Sequence, residues 1–136
     1  MKQLITNFTL HLKVQLIYTD KDFVYEGFFT DFGPLHLGHL YRYCHMLRSH
    51  EQQNPGVCIV HCTGRDPEKR ANAAYLAGAY ALLYHGLTPK QICEALTNGP
   101  DAIPFKPFQV RSRQNLKWYL FFSFFLSITK TQLFCV

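Results

Sequence analysis

The sequence has few charged side chains, and this scarcity narrows the classes of protein to which it can belong. Charged residues occupy 17% of the 136 positions and hydrophobic residues 48%, which excludes a disordered chain and favours one folded domain. Of the formal net charge of +5, four positive charges lie after residue 109 with no acidic residue among them, so residues 1–109 carry only +1. Because residues 1–109 are nearly neutral, we do not expect the chain to bind nucleic acid.

The sequence also lacks a long apolar N-terminal segment with a small-residue cleavage site. Its five cysteines are scattered and odd in number, which predicts an intracellular protein with reduced thiols. The apolar run from Trp118 to Ile128 falls far short of the roughly 20 residues that span a bilayer, so a membrane is not an expected partner. The alternative is a tail anchor that extends to the C-terminus, since Lys117 and Lys130 flank the run. We interpret residues 110–136 as a divergent, phenylalanine-rich tail.

Residue spacing in the first half of the chain predicts two extended segments and a helix. Apolar and polar residues alternate from Phe8 to Ile17, as in a half-buried strand, and residues 23–29 form a second apolar, extended segment. Apolar residues then recur at helical spacing, which predicts an amphipathic helix from His36 to about Arg48.

The next part of the chain predicts a strand followed by two helices. The run VCIVHC at residues 57–62 suits a buried parallel strand, and residues 69–86 are apolar on almost every face, as in a central buried helix. Thr88 and Pro89 suit the start of a third helix, which ends at residues 98–99. This order predicts an α/β layer with some parallel sheet.

Residues 59–70, IVHCTGRDPEKR, have the outline of the phosphate loop of a cysteine-dependent phosphatase. Such a loop has the sequence pattern Cys-x5-Arg. Backbone N–H groups at the start of a helix bind the phosphate, and the arginine donates hydrogen bonds to two of its oxygens. Six residues after Cys62 stands Glu68, and Arg70 lies two residues too far. Asp66 and Glu68 would also oppose a dianionic substrate. We therefore predict no catalytic residue; the alternative is an unusual loop that uses Cys62 with Arg70.

The sequence offers histidines and cysteines as candidate metal ligands, but their spacing is unfavourable. Cys58 and Cys62 share one face of the predicted strand and His61 lies on the other, so these three cannot chelate one ion. No cysteine or carboxylate stands at a supporting distance from the histidines near the first predicted helix. We predict neither a metal site nor a cofactor. Those histidines are His36, His39 and His45.

Four blocks between about Ile17 and Phe108 carry a resemblance to a known family: DKDFVYEGFFTDFGPLHLGHLYRYC, IVHCTG, KRANAAYLAGAYALLYHGLTPKQICEAL and IPFKPF. In the same order, they resemble the N-terminal, non-catalytic domain of the mitotic-exit dual-specificity protein phosphatases, the cell-division-cycle-fourteen family. The resemblance implies a phosphatase-like layered α/β fold with a degenerate phosphate loop, incomplete at the C-terminus. It divides the chain into a divergent strand segment, residues 1–16, and the domain itself, residues 17–109. The family usually has an aromatic residue at the position of Cys62, so the cysteine is a departure.

The same resemblance implies a role for the chain. In the family, the first domain packs against a second, catalytic domain and helps to form a groove for phosphoserine followed by proline and basic residues. We therefore expect an inactive substrate-recognition or docking domain in cell-cycle control and mitotic exit, without its catalytic domain. Its expected partners are a catalytic domain of the same family and phosphoprotein substrates. The implied locations are nucleus and cytoplasm, including the centrosome or spindle.

Overall fold

The computed structural model describes residues 13–27, 32–98 and 105–108. The two strands in this part of the chain pair in parallel, with Val14 opposite Cys58 and Tyr18 opposite Cys62. The predicted mixed α/β class with parallel strands is confirmed, whereas the phosphatase-like layering stays a prediction. In chain order the elements are β1 (Val14–Tyr18), α1 (Leu37–Gln53), β2 (Cys58–Cys62), α2 (Pro67–Tyr84) and α3 (Pro89–Thr97).

Helix α1 begins where the sequence predicted and ends later. Its N-cap is His36, whose side chain accepts a hydrogen bond from the backbone N–H of His39. The helix continues past Arg48 to Gln53 because residues 49–53 contain neither proline nor glycine. It ends at the Asn-Pro-Gly turn, in which Gly56 has a φ of +80° that a side chain would strain.

Helix α2 forms the centre of the core, as its composition predicted. Asp66 caps its first turn and Pro67 occupies the first helical position, where the missing N–H has no partner to lose. Its small residues allow neighbouring elements to approach closely. The buried residues of α2 are Ala71, Asn72, Ala73, Ala74, Tyr75, Leu76, Gly78, Ala79, Tyr80 and Leu82.

Helix α3 is fixed by a capping box, which confirms its predicted start. The Thr88 hydroxyl accepts from the Gln91 backbone N–H, and the Gln91 side chain accepts from the Thr88 N–H. The helix is capped at its end by Asn98. Ile92 is buried and attaches α3 to the core.

The hydrophobic core lies on one side of the strand pair, between the strands and the helices. Ile17 on β1 is buried there, and the Gln15 amide hydrogen-bonds the ring of His50 on α1. The centre of the Tyr43 ring lies 6.0 Å from that of Phe23 and 6.3 Å from that of Tyr80, with both pairs nearly perpendicular. Such edge-to-face contacts are favourable for aromatic rings.

The two predicted extended segments at the start of the chain both reach beyond the described residues. Of the strand predicted from Phe8 to Ile17, the described part begins at Val14 and continues to Tyr18, while residues 8–12 lie outside the described residues. Residues 23–27, predicted as an extended segment, form neither a helix nor a paired strand. A turn precedes them: the Phe23 N–H donates to the Thr19 carbonyl at 3.0 Å, and the Phe23 ring enters the core. Residues 28 and 29 of that prediction are outside the described residues.

The sequence predicted a buried parallel strand at residues 57–62. The parallel direction was correct, but the predicted burial was wrong. Strand β2 is parallel to β1, but Cys58 is exposed and Val60 is 37% exposed. The helices cover the opposite face, and a strand's burial depends on what covers both of its faces. Within residues 13–27, 32–98 and 105–108, none of the helices combines the length and apolar character that a bilayer span requires.

Candidate functional site

The loop from Thr63 to Asp66 connects the end of β2 to the start of α2. This strand–loop–helix arrangement is the one in which a phosphate loop presents backbone N–H groups to an anion. The N–H groups of Glu68 and Lys69 at the helix start are already bound, because both donate to Asp66 Oδ1, at 3.1 and 2.9 Å. The helix start is therefore capped by the chain's own carboxylate.

A second carboxylate, that of Asp20, binds the loop itself. Asp20 Oδ2 accepts the backbone N–H of Gly64 at 2.7 Å, and Oδ1 accepts the Thr63 hydroxyl at 2.8 Å. A Cβ atom added to Gly64 would lie 3.3 Å from Asp20 Oδ2, so glycine permits this close approach. The chain thus supplies an internal anion to donors that a phosphate loop would offer to its substrate.

The topology of the sheet places Asp20 at the loop. Asp20 follows the end of β1 by two residues, and the carboxyl ends of paired parallel strands meet at the same edge of a sheet. Asp20 and Gly64 are 44 positions apart, and the sequence analysis did not identify Asp20. The signal that could have found it is a short acidic side chain directly after a strand that pairs with β2.

The side chains that the sequence singled out for catalysis point to structural partners. The Cys62 thiol lies 3.8 Å from the carbonyl oxygen of Val60 on its own strand. The guanidinium carbon of Arg70 lies 5.1 Å from the centre of the Phe105 ring, in a cation–π arrangement. The alternative in which Cys62 acts with Arg70 stays a hypothesis from the sequence.

Glu68, at the position where a phosphatase has arginine, forms an ion pair with Lys106. Lys106 also lies 5.2 Å from the centre of the Phe32 ring. Residues 105–108 are thereby held beside the first turn of α2. Where a phosphatase has the arginine that binds phosphate, this chain has a carboxylate that forms an ion pair with a later segment of the chain.

A cleft of about 220 Å³ lies beside the loop. It contains three carboxylates and one lysine, a balance that repels a phosphate dianion. Asn72 at its wall is 6% exposed, and its Oδ1 atom has no hydrogen-bond partner among the described residues. The polar residues of the cleft are Thr19, Asp20, Asp66, Glu68, Lys69 and Asn72, and its aromatic residues are Phe23 and Tyr25.

His61, the residue before Cys62, connects the two strands to α1. Its Nε2 lies 2.6 Å from the Thr19 hydroxyl oxygen, and its Nδ1 lies 3.0 Å from the Tyr43 hydroxyl. A neutral imidazole satisfies both contacts, donating from one nitrogen and accepting at the other. Burial lowers the pKa of His61 from 6.5, and the nearby Asp20 partly opposes this shift.

The lowered pKa of His61 makes stability depend on pH. The unfolded chain binds a proton on this ring more readily than the folded chain, so stability is greatest above about pH 6.5 and falls as the pH drops toward the folded pKa. The titratable groups that face His61 are Asp20 and Tyr43. We expect the free energy of unfolding from urea titrations to fall between about pH 7.5 and 5.5, and to fall less in His61→Gln.

The control for this pH experiment is His45→Gln, since His45 is exposed on α1. It replaces an exposed histidine and leaves the contacts of His61 with Thr19 and Tyr43 in place. Burial also lowers the pKa of His39. Part of the decrease in the free energy of unfolding at low pH should therefore persist in His61→Gln. An identical pH dependence in His61→Gln and the original chain would contradict the assignment to His61.

The histidines near α1 form stacked and tilted ring contacts. The ring centres of His36 and His39 lie 3.8 Å apart, and that of His45 lies 6.5 Å from Tyr41. Within residues 13–27, 32–98 and 105–108, no three histidine, cysteine, aspartate or glutamate side chains are arranged to hold a metal ion.

A family model described as "Dual specificity protein phosphatase, N-terminal half" matches residues 5–123. The chain belongs to this family. The resemblance found in the sequence is thereby confirmed, and the match extends beyond residues 17–108 on both sides. The domain boundaries placed at residues 16 and 109 stay a prediction.

Individual relatives come from vertebrates and yeast. The chain is similar to "Dual specificity protein phosphatase CDC14AB" of Danio rerio, at 45% identity over 104 residues, and to CDC14A of Homo sapiens, at 43% over 105 residues. It is 31% identical over 97 residues to "Tyrosine-protein phosphatase CDC14" of Saccharomyces cerevisiae. These matches cover 75%, 74% and 69% of this chain but 17% of each relative. The chain thus spans about a sixth of the length of these phosphatases.

Replacing Cys62 by serine tests whether this cysteine has a structural role in the family domain. The thiol is half-buried and its polar contact is a weak one to its own strand. We expect Cys62→Ser to change the free energy of unfolding by less than about 0.5 kcal/mol, because substitutions outside the core and its polar networks have small effects. Urea titration of both proteins measures this difference. A loss of several kcal/mol would show that the side chain is part of the core.

Proposed function

We propose that this chain is a non-catalytic substrate-recognition or docking domain of a dual specificity phosphatase involved in cell-cycle control. The observation that carries the proposal is the position of the Asp20 carboxylate, which binds Gly64 N–H and the Thr63 hydroxyl in the phosphate-like loop. A phosphate could reach these donors only by displacing a carboxylate that already satisfies them.

The electrostatics of the loop support the same proposal. Cysteine phosphatases stabilise the charge of the transferring phosphoryl group with backbone donors and an arginine. In this chain the arginine position is occupied by Glu68, and Asp20 and Asp66 add two further carboxylates to the adjacent cleft. Each of these would raise the energy of a bound dianion. We therefore propose that the domain acts by binding partners at its surface and not by catalysis at the loop.

The proposed partners are the catalytic domain of a phosphatase of the same family and the phosphoproteins on which it acts. The resemblance described above and the names of the similar phosphatases support this choice. Contacts between domains of one chain bury roughly 600–1,500 Å² and are partly polar, so two separate chains should associate weakly. The proposal includes the nucleus and cytoplasm, with the centrosome or spindle, as the sites of action.

The proposal is tested by mixing the full chain with the separate catalytic half of a family member. Isothermal titration calorimetry should detect association in the micromolar range. The relative rates on two phosphoserine-proline peptides, with and without basic residues after the proline, should change when the chain is added. An unrelated protein of similar size and charge serves as the control. Absence of both effects, with a chain shown by circular dichroism to be folded, would contradict the proposal.

A further inference from the structure

The segment formed by residues 105–108, which we call the strap, is anchored in the hydrophobic core at one end. The Phe108 side chain is 2% exposed, and the centre of its ring lies 5.1 Å from that of Phe32. The Lys106 ammonium lies 5.2 Å from the centre of the same Phe32 ring, a distance at which a cation is attracted to an aromatic face. This end of the strap is therefore held by contacts that do not involve the loop from Thr63 to Asp66.

The strap also contacts two residues in the first turn of α2. Lys106 forms an ion pair with Glu68, and the ring of Phe105 lies 5.1 Å from the guanidinium carbon of Arg70. Both of these α2 residues bond Asp66 through their backbones. The Glu68 N–H donates to the Asp66 carboxylate at 3.1 Å, and the Arg70 N–H donates to the Asp66 carbonyl at 2.9 Å. The strap thus supports the helix start at which the loop ends.

We propose that the strap stabilises the loop in the arrangement in which Asp20 binds it. Gly64, whose N–H donates to Asp20 at 2.7 Å, lies two residues before Asp66. Because the strap restricts the helix start at Asp66, it also restricts the freedom of Gly64 to leave the Asp20 carboxylate. A partner that displaces the strap therefore loosens the loop and frees its donors. This inference is independent of the proposed function.

The contact between the strap and α2 can open without unfolding of the core. The Lys106 side chain is 37% exposed and the Glu68 side chain 48% exposed, so water and salt reach the ion pair and weaken it. Phe108, in contrast, is buried beside Phe32 and stays in place when the ion pair breaks. The device is thus a local opening, of the kind that hydrogen exchange measures.

The test is the rate at which the Gly64 N–H exchanges with solvent, measured by nuclear magnetic resonance in the full chain. Lys106→Met removes the charge but keeps an apolar side chain against Phe32. We expect it to accelerate the exchange of Gly64 about three- to tenfold. The matched control is Lys90→Met, since the ion pair of Lys90 with Glu94 lies within the exposed surface of α3. It should leave the exchange of Gly64 unchanged.

A second amide separates loosening of the loop from loss of the whole fold. The Cys58 N–H donates to the Lys13 carbonyl at 2.8 Å in the strand pair, and its exchange should be the same in Lys106→Met and in the original chain. Equal exchange of Gly64 in the original chain and Lys106→Met would overturn the proposal. An acceleration of Cys58 as large as that of Gly64 would also overturn it, because the strap would then support only the fold as a whole.

Salt provides an independent measurement on the same proteins. Raising the ionic strength from about 0.05 to about 1 M screens exposed ion pairs. It should accelerate the exchange of Gly64 more in the original chain than in Lys106→Met, which has no ion pair with Glu68 to lose. The same response to salt in both proteins would contradict the role assigned to Lys106.

Discussion

Replacing Tyr43 by alanine is expected to reduce the free energy of unfolding by about 3–5 kcal/mol, the usual cost of truncating a buried aromatic residue. The Tyr43 side chain is 1% exposed and contacts Phe23 and Tyr80 at the centre of the core. Its hydroxyl also bonds His61 Nδ1. Burial raises the pKa of Tyr43, so the hydroxyl keeps its proton. The substitution removes the ring and leaves a partly buried histidine nitrogen without its partner.

The control for this prediction lies on the same helix. Tyr41 is 70% exposed, so Tyr41→Ala should change stability by about 0.5 kcal/mol or less. Urea titrations followed by far-ultraviolet circular dichroism measure both variants. Equal losses from Tyr41→Ala and Tyr43→Ala would mean that the core is not arranged around Tyr43.

Replacing Ala79 by leucine is expected to cost about 3 kcal/mol, at the upper end of the range for overpacking a close-packed core. Ala79 is completely buried in the middle of α2, within the hydrophobic cluster. The three additional carbon atoms have no space unless neighbouring elements move apart. For a domain whose total stability is of the order of 5–15 kcal/mol, this loss is a large fraction.

The matched control is Ala95→Leu, since Ala95 is exposed on α3. Alanine and leucine are both strong helix formers, so this change should have little effect on stability. Thermal melts of the two variants distinguish steric overpacking from an effect of leucine itself. A stable Ala79→Leu protein would show that the space around α2 is larger than the structure indicates.

Local signals in the sequence predict the helices well. Thr88 and Pro89 determine the start of α3 through a cap and a restricted backbone angle, both of which act within a few residues. The small residues of α2 predict its burial because few other arrangements accommodate a helix that is apolar on almost every face. These features need no knowledge of distant partners.

Features that depend on distant residues escaped prediction. The path of residues 23–27 depends on the turn at Thr19 and on the contact of Phe23 with Tyr43 of α1, which these residues do not specify by themselves. The exposure of β2 depends on which elements cover its two faces, and the five residues of the strand do not determine those elements. Likewise, the spacing from Cys62 to Glu68 predicted a degenerate loop, but only the pairing of β1 with β2 shows that Asp20 occupies it.

The most direct test of the central claim is phosphate release by the purified full chain. Both a small aryl phosphate and a phosphoserine-proline peptide should be tested, with Cys62→Ser measured alongside. We expect release no faster than the uncatalysed rate, and identical values for the original chain and Cys62→Ser, because the Asp20 carboxylate binds the donors of the loop and Glu68 stands in place of the arginine. Turnover by the original chain that is lost in Cys62→Ser would contradict the claim that this domain is non-catalytic.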